Sequence, residues 1–135
     1  MISKLLLPVN GSSEAEKATR FALQFAKDYG VFGVSVTALN VIPVEPPVER
    51  RHEEESERTL ARIKNMAKEL GVECDTKMIA DPDVYVTIIR EAEEGNYDMI
   101  IMGSRGLTGL KRITLGSVAD AVIRNAHCPV TVVRQ

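Results

Sequence analysis

Residues 99–106 read Met99-Ile100-Ile101-Met102-Gly103-Ser104-Arg105-Gly106, four apolar residues followed by a four-residue stretch that begins and ends with glycine. A short apolar run of this kind is typical of a strand that is buried on both faces of a sheet. The glycines indicate a turn, and Gly116-Ser117 stands where the next helical pattern begins. The sequence therefore predicts a strand, a glycine-rich loop and a helix, in that order.

The loop between this strand and this helix is cationic. Residues 103 to 117 hold three basic side chains and no acidic one, whereas the whole chain has a formal net charge of −2. Glycine lets a ligand approach the backbone, and successive N–H groups and a helix N-terminus bind anions. Ser117 can cap the helix or donate to a phosphate oxygen. The pattern favours a phosphate site, and the alternative is a surface loop with turn glycines.

Two common nucleotide motifs are absent from the chain. Neither GxxxxGK[ST] nor GxGxxG occurs, which excludes a P-loop NTPase site and the dinucleotide fingerprint. Any phosphate site here must therefore be built in another way.

Length and composition restrict the class of protein. The 135 residues, 44% apolar and 27% charged, predict one soluble globular domain over residues 1–135. Mild acidity argues against a nucleic-acid partner, and without an apolar run of 18 residues we expect no membrane span. The N-terminus lacks a signal-peptide pattern. Cys74 and Cys128 lack CxxC spacing, which favours buried or half-buried thiols in a reducing cytoplasm.

Strand and helix patterns alternate along the chain. Strand patterns cover Lys4–Val9, Val34–Val41, Glu73–Ile79, Met99–Met102 and Val130–Val133. This βαβαβαβαβ order predicts a parallel sheet with right-handed crossovers and helices on both faces.

The helix boundaries have their own signals. A capping box at Ser13–Glu16 opens the first helix, the second runs from about Arg51 to Leu70, the third follows Asp81-Pro82-Asp83, and the fourth covers Ser117–Asn125. Gly30, Gly71 and Gly95 are expected to end the first three helices. Glu54 and Arg58 have the spacing of a favourable ion pair.

Three motifs together carry a family resemblance. They are G-x2-G-x9-G-[ST] at 103–117, Leu5-Leu6-Leu7-Pro8-Val9-Asn10-Gly11-Ser12, and His127-Cys128-Pro129-Val130-Thr131-Val132-Val133. At these spacings the chain resembles the universal stress protein family over essentially its whole length. The resemblance implies a three-layer, Rossmann-like α/β fold of the adenine nucleotide alpha hydrolase-like kind. Its open twisted sheet would have five parallel strands in the order 3-2-1-4-5.

In that order the first and fourth strands are neighbours at the point where the winding reverses. Ligands of such sheets bind there, outside the carboxyl ends of the strands. The resemblance implies ATP binding, because family members with this motif look like ATP-binding proteins, and it implies a dimer, because they are usually dimeric. The resemblance implies ten nucleotide-binding residues: Gly103, Gly106, Gly116 and Ser117 around the phosphates, Arg105 and Val118 near them, Val41 at the adenine through its backbone, Pro8 and Met102 near the base or ribose, and Asn10.

Position 10 departs from the family pattern. Many ATP-binding relatives have Asp there, near the nucleotide and any bound metal, whereas this chain has Asn10. Asn keeps its hydrogen-bonding capacity but lacks the charge, which weakens a direct hold on Mg²⁺ or Mn²⁺. We expect no protein metal ligands, so a metal would bind through the phosphates.

No set of residues predicts fast catalysis. His52 lies in the charged helix and is expected to be exposed. His127 and Cys128 are adjacent on an extended backbone and point to opposite sides, and Asp81 and Asp83 resemble a helix cap.

Three functions stay open. The first is a cytoplasmic regulatory protein of the stress response that binds ATP, ADP or AMP, with its nucleotide state read by its own dimer or by an unidentified protein partner. The second is a nucleotide-independent dimeric interaction module that pairs through Val130–Val133, and the third is a slow ATPase.

Overall fold

The computed structural model describes residues 1–10, 15–104 and 115–134. The strands are β1 (Lys4–Val9), β2 (Ser35–Ile42), β3 (Glu73–Ala80), β4 (Met99–Gly103) and β5 (Val130–Val133). The helices are α1 (Ala15–Asp28), α2 (Arg50–Leu70), α3 (Val84–Glu94) and α4 (Ser117–Asn125), with a 3-10 turn at Gly30–Phe32. Each strand ends within one residue of its predicted bounds, because the apolar runs are short and clearly delimited.

All five strands form one parallel sheet in the order β3-β2-β1-β4-β5. The predicted α/β class and strand order are confirmed. After β1 the chain builds β2 and β3 on one side, and it then returns to build β4 and β5 on the other. Leu6 of β1 pairs with Thr37 of β2 and with Ile100 of β4. The carboxyl ends of these three strands consequently meet at one edge of the sheet.

Each face of the sheet has its own apolar core. Leu5 and Leu7 of β1 pack towards α1 and α2, whereas Leu6, between them, packs towards α3 and α4. This alternation follows from the twofold side-chain period of a strand. All three leucines are at most 1% exposed. The central strand is therefore apolar on both faces, which gives the three layers expected from its sequence.

The helix ends follow the sequence in one case and depart from it in another. Gly71 ends α2 with φ +71°, as predicted for a left-handed C-cap. Gly30 does not have this role, because α1 ends at Asp28 and a 3-10 turn follows. The left-handed residue is Gly33, with φ +75°, and its N–H donates to the Gly30 carbonyl at 2.9 Å.

The end of α3 uses two neighbouring residues. Gly95 follows the helix as predicted, but Asn96 takes the left-handed conformation, with φ 54°. The Tyr97 N–H then donates to the Ala92 carbonyl at 3.0 Å. A Cβ at Gly95 would overlap the Tyr97 ring. Glycine is thus required here for space, and asparagine tolerates the positive φ.

The polar residues before α3 do not form the expected cap. Asp83 is at the N-cap position, but its carboxylate makes no capping hydrogen bond. Instead, its N–H donates to Asp81 Oδ1 at 2.8 Å. This Asx-type turn fixes the chain entering the helix.

Helix α2 is charged along its exposed face. It begins at Arg50, one residue earlier than predicted, and the expected pair of Glu54 with Arg58 is replaced by Glu54 with Arg50 at 2.8 Å. Both spacings are i,i+4, so the sequence offers Glu54 two equivalent partners. Exposed pairs of this kind add little to stability. Within the described ranges, no helix is long and apolar enough to cross a membrane.

Candidate functional site: a cavity at the carboxyl edge of the sheet

A cavity of about 560 Å³ opens where the carboxyl ends of β1, β2 and β4 meet. Its walls come from these strands, from the segments that follow them, and from helices α2, α3 and α4. The lining residues are Pro8, Val9, Asn10, Leu39, Asn40, Val41, Ile42, Pro43, Val44, His52, Glu55, Ser56, Thr59, Val84, Ile88, Met102, Gly103, Gly116, Ser117, Val118 and Ala119. A concave, mostly apolar site with a few polar groups is typical of a small-molecule binding site.

The cavity brings together most of the residues singled out in the sequence. Eight of the ten line it: Pro8, Asn10, Val41, Met102, Gly103, Gly116, Ser117 and Val118. The other two, Arg105 and Gly106, lie outside the described residues. The eight come from chain segments more than a hundred residues apart. Only the return of β4 beside β1 places them at one edge.

The wall at the β4 side is made of backbone. The Ser104 N–H donates to the Val133 carbonyl at 3.0 Å, and the Gly116 N–H donates to the Ser104 carbonyl at 2.7 Å. The first bond joins the end of β4 to β5, and the second holds the start of α4 against the end of β4. Gly116, and not Ser117, is the N-cap residue, so Ser117 is the first residue of the helix. Of the two roles predicted for Ser117, capping of α4 is therefore wrong, and donation to a phosphate oxygen stays a prediction.

The start of α4 has the properties of an anion site. Gly116 has no side chain to cap the helix, and the first N–H groups of an α-helix have no acceptor within it. Gly116 to Ala119 all line the cavity. The helix N-terminus thus turns partial positive charge and N–H donors towards the cavity.

The wall at the β2 side is held by a buried polar network. Asn40 is 8% exposed, and its Nδ2 donates to the Val9 carbonyl at 2.7 Å. Ser56 of α2 is 3% exposed, and its Oγ donates to Asn40 Oδ1 at 2.5 Å. The network joins the end of β1, the end of β2 and the second turn of α2. It fixes the helix over this part of the cavity.

Helix α2 contributes a wall that sequence reasoning missed. His52, Glu55, Ser56 and Thr59 all line the cavity, at the i, i+3, i+4 and i+7 spacing of one helix face. We call these four residues the α2 wall. The sequence did contain a signal for it. Ser56 continues the buried stripe of Leu60, Ile63 and Ala67 at helical spacing, and a serine in such a stripe indicates a buried polar contact.

The prediction that His52 is exposed is wrong. His52 is half-buried, and its Nδ1 is shut off from solvent without a hydrogen-bond partner among the described residues. An unsatisfied buried polar atom costs about 1–3 kcal/mol. Such atoms are rare, and they are found more often at functional sites than elsewhere.

The two thiols and the second histidine lie away from the cavity. Cys74 is buried and Cys128 half-buried, as predicted, and burial raises the pKa of both thiols. Both are therefore protonated near neutral pH and are weak nucleophiles. His127 is exposed. Across the described parts of the chain, no three His, Cys, Asp or Glu side chains are grouped so that they could hold a metal ion.

Comparison with known proteins gives concordant matches. The universal stress protein family profile matches residues 1–134. The chain is 38% identical over 143 aligned residues to universal stress protein MJ0531 of Methanocaldococcus jannaschii, an alignment that covers 100% of this chain and 84% of that protein.

Two solved structures share the fold. The universal stress protein from Archaeoglobus fulgidus in complex with dAMP superposes with a TM-score of 0.78 at 24% identity, covering 99% of this chain and 98% of that one. A universal stress protein family protein from Arabidopsis thaliana with AMP bound gives a TM-score of 0.75 at 18% identity, covering 98% and 92%. At such identities the superpositions establish the architecture. Together with the profile and the sequence relative, they show that this chain belongs to the universal stress protein family.

Proposed function

We propose that this chain binds an adenine nucleotide in the cavity at the carboxyl edge of the sheet and acts as a regulatory protein of the stress response. The observation that carries the proposal is the convergence of eight of the ten predicted nucleotide-binding residues on that cavity. They come from three distant parts of the chain, and the motif at 103–117 supplies three of them, Gly103, Gly116 and Ser117. Chance placement of turn glycines would not gather them around one concave site.

Two relatives of the same fold support the choice of ligand. The Archaeoglobus fulgidus protein was solved with dAMP and the Arabidopsis thaliana protein with AMP. Both ligands are adenine nucleotides with one phosphate. We extend the proposal for this chain to ADP and ATP, because its motif resembles that of ATP binders.

The two sides of the cavity suit the two ends of a nucleotide. The β4 side offers the N-terminus of α4 and glycine backbone to the phosphates. The β2 side offers the apolar surface of Val41, and Pro8 on β1 and Met102 on β4 add apolar surface to the cavity, which suits a flat base. Asn10 lies at the end of β1, between these sides. Its amide is a weaker metal ligand than a carboxylate, so we expect Mg²⁺ or Mn²⁺ to bind through the phosphates.

Isothermal titration calorimetry tests the proposal directly. Purified protein is titrated with AMP, ADP, ATP and GTP, each with and without Mg²⁺. We expect saturable binding of at least one adenine nucleotide at one site per chain. Gly116→Val adds a side chain at a position that lines the cavity and should weaken binding at least tenfold. Gly30→Ala is the control, since a Cβ there meets open space and Gly30 does not line the cavity.

The outcome that contradicts nucleotide binding is also clear. If the protein free of ligand shows no heat and no thermal stabilisation with any adenine nucleotide, the proposal fails. Slow hydrolysis of ATP can be followed in the same samples. Phosphate release no faster than that of the Gly116→Val variant would exclude an ATPase.

A second candidate, a dimeric interaction module, is favoured by the edges of the sheet. The edge strand β5 has three valines and a threonine, all half-buried, and no charge. The opposite edge, β3, exposes Glu73, Asp75 and Lys77. Charges on an edge strand oppose pairing with another chain, and an apolar edge without them favours it. A homodimer through Val130–Val133 is therefore part of our proposal, whereas the cytoplasmic location and a separate protein partner stay predictions from the sequence.

A further inference from the structure

The cavity has opposite electrostatic character on its two sides. The β4 side presents the N-terminus of α4, whereas the α2 wall presents Glu55, which is the one carboxylate among the lining residues that the structure describes. Strand β1 lies between β2 and β4 in the sheet. Two strand spacings of about 4.8 Å therefore separate the two sides at the sheet. A ligand that spans them needs an anion at one end and hydrogen-bond donors at the other.

The α2 wall is held in place by groups that the ligand does not need to contact. Ser56 is fixed by Asn40, and Asn40 by the Val9 carbonyl. Glu55 precedes Ser56 and lines the cavity from an exposed position at its mouth. Its carboxylate is thus supported by a buried anchor while it stays open to a ligand. His52 lies one helical turn before it, with an Nδ1 that has no partner among the described residues.

We propose that Glu55 accepts a hydrogen bond from the nucleoside half of the bound nucleotide, with His52 beside it, and so selects nucleosides that offer a donor there. The inference rests on the proposed function and names the residue that sets its specificity. The donor is either the exocyclic amine of the base or a ribose hydroxyl, since both offer a proton to a carboxylate.

The chemistry of the carboxylate makes this selection directional. An ionised carboxylate only accepts hydrogen bonds. Adenine has an amino group at C6, whereas guanine has an oxygen acceptor in the same place. Hypoxanthine likewise has an oxygen there. A carboxylate opposite that oxygen would face a second acceptor, and both would lose a partner. The same reasoning applies to a sugar that lacks the hydroxyl, where the carboxylate would face C–H.

The test compares affinity ratios by calorimetry on the full chain. AMP, IMP, 2′-deoxy-AMP and 3′-deoxy-AMP are titrated into the wild type, Glu55→Gln and the control Glu57→Gln. Glu57 lies on the same helix, is exposed and does not line the cavity. Because losing a carboxylate favours any anionic ligand, both variants can bind all four nucleotides more tightly. The ratios between ligands cancel this charge effect.

We expect the wild type and Glu57→Gln to prefer AMP over at least one analogue by about three- to tenfold, the worth of one hydrogen bond. In Glu55→Gln that preference should fall to less than half, because the amide can donate to the oxygen of hypoxanthine and accepts a sugar hydroxyl more weakly than a carboxylate does. If the preference for AMP over IMP is lost, the donor to Glu55 is the amine of the base. If the preference for AMP over a deoxy analogue is lost, the donor is the sugar hydroxyl that this analogue lacks. His52→Phe, which keeps the ring and loses its nitrogens, should weaken AMP by about threefold in the same assay.

Two results overturn the inference in distinguishable ways. If the wild type binds AMP and all ratios are unchanged in Glu55→Gln relative to Glu57→Gln, the role of Glu55 is wrong and nucleotide binding stands. If the wild type binds none of the four nucleotides, the proposed function fails and the inference fails with it.

Discussion

Asn40 and Ser56 hold helix α2 over the cavity through a buried hydrogen-bond network. Asn40 both donates to Val9 and accepts from Ser56, and both side chains are more than nine-tenths buried. Ser56→Ala should leave Asn40 Oδ1 without its donor and cost about 1–3 kcal/mol of unfolding free energy. Asn40→Ala should cost at least as much, because it leaves the Val9 carbonyl and the Ser56 hydroxyl unsatisfied.

Urea unfolding of the two single variants and the double variant measures the coupling between them. We expect a coupling energy of about 1 kcal/mol, since the hydrogen bond from Ser56 to Asn40 needs both side chains. Asn125→Ala is the control, because its amide donates to the Ala121 carbonyl at an exposed position. Its cost should stay within about 0.5 kcal/mol. Strictly additive losses at positions 40 and 56 would contradict the network.

The sequence predicted the glycine and proline residues of the cavity but not the hydrogen-bond network of Asn40 and Ser56, for a physical reason. Glycine and proline act on the backbone locally, so Pro8, Gly103 and Gly116 are conspicuous in the sequence itself. A hydrogen bond between Asn40 and Ser56 depends on how α2 packs over the end of β2. The residues next to Asn40 and Ser56 along the chain do not indicate how close these two side chains lie. The unexpected burial of His52 has the same origin.

At the scale of elements, Asp98 fastens β1 to the start of β4. Its Oδ2 accepts from the Ser3 N–H and the Lys4 N–H, both at 2.9 Å, and its own N–H donates to the Lys4 carbonyl at 2.8 Å. The backbone N–H of Ser3, and then that of Lys4, lower the pKa of the Asp98 carboxyl. These bonds sit at the amino edge of the sheet, opposite the cavity, and they set how β4 begins beside β1.

Asp98→Asn should show a pH-dependent loss of stability. The folded-state pKa lies below the unfolded one, so the stabilisation by the ionised form is fully present above the unfolded pKa. It is lost as the pH falls through the folded pKa. We expect a cost of about 1 kcal/mol near pH 7, since the site is partly open to solvent, and a shrinking difference from the wild type at acid pH. Urea unfolding from about pH 7 to pH 3 measures it.

Asp75→Asn is the matched control, because Asp75 is an exposed carboxylate on the edge strand β3. Its effect should be small across the same range. A constant difference between Asp98→Asn and the wild type at every pH would mean that the charge of Asp98 does not contribute.

Elements were predicted better at their centres than at their ends. All five strands and four helices follow the predicted order, because apolar period and length are strong local signals. The end of α1 was misjudged, since Gly30 and Gly33 look alike in sequence and only the 3-10 turn decides which one takes positive φ. The partner of Glu54 was misjudged for a similar reason. Arg50 and Arg58 are each four residues from Glu54, and the structure pairs it with Arg50.

At the scale of the whole molecule, alternation of strands and helices predicts a parallel sheet but not the order of its strands. That order came with the family resemblance, and it is what places the first and fourth strands together. The pairing depends on contacts between residues nearly a hundred positions apart, such as Leu5 with Met99. Local patterns do not encode such contacts. The three motifs at fixed spacing indicate them only through the resemblance to a family whose strand order is known.

Among the residues that the structure describes, no strand pairs with the outer side of the apolar edge strand β5. The Ile100 N–H donates to the Pro129 carbonyl and the Ser104 N–H to the Val133 carbonyl, each at 3.0 Å. Residues 129 and 133 therefore turn their backbone groups towards β4. Because these groups alternate along a strand, those of Val130 and Val132 face away from the sheet. An apolar edge strand with outward-facing backbone groups is a template for a second copy of the chain.

Val132→Pro tests that pairing at its centre. Proline removes the outward N–H and keeps the inward ladder to β4, and edge strands tolerate it. Sedimentation of the wild type at about 50 μM should give a dimer, and the variant should be monomeric with a cooperative thermal transition. Thr76→Pro on β3, whose exposed edge carries charges on both sides of that position, should leave the dimer intact. A monomeric wild type, or a dimeric Val132→Pro variant, would show that β5 does not form the interface.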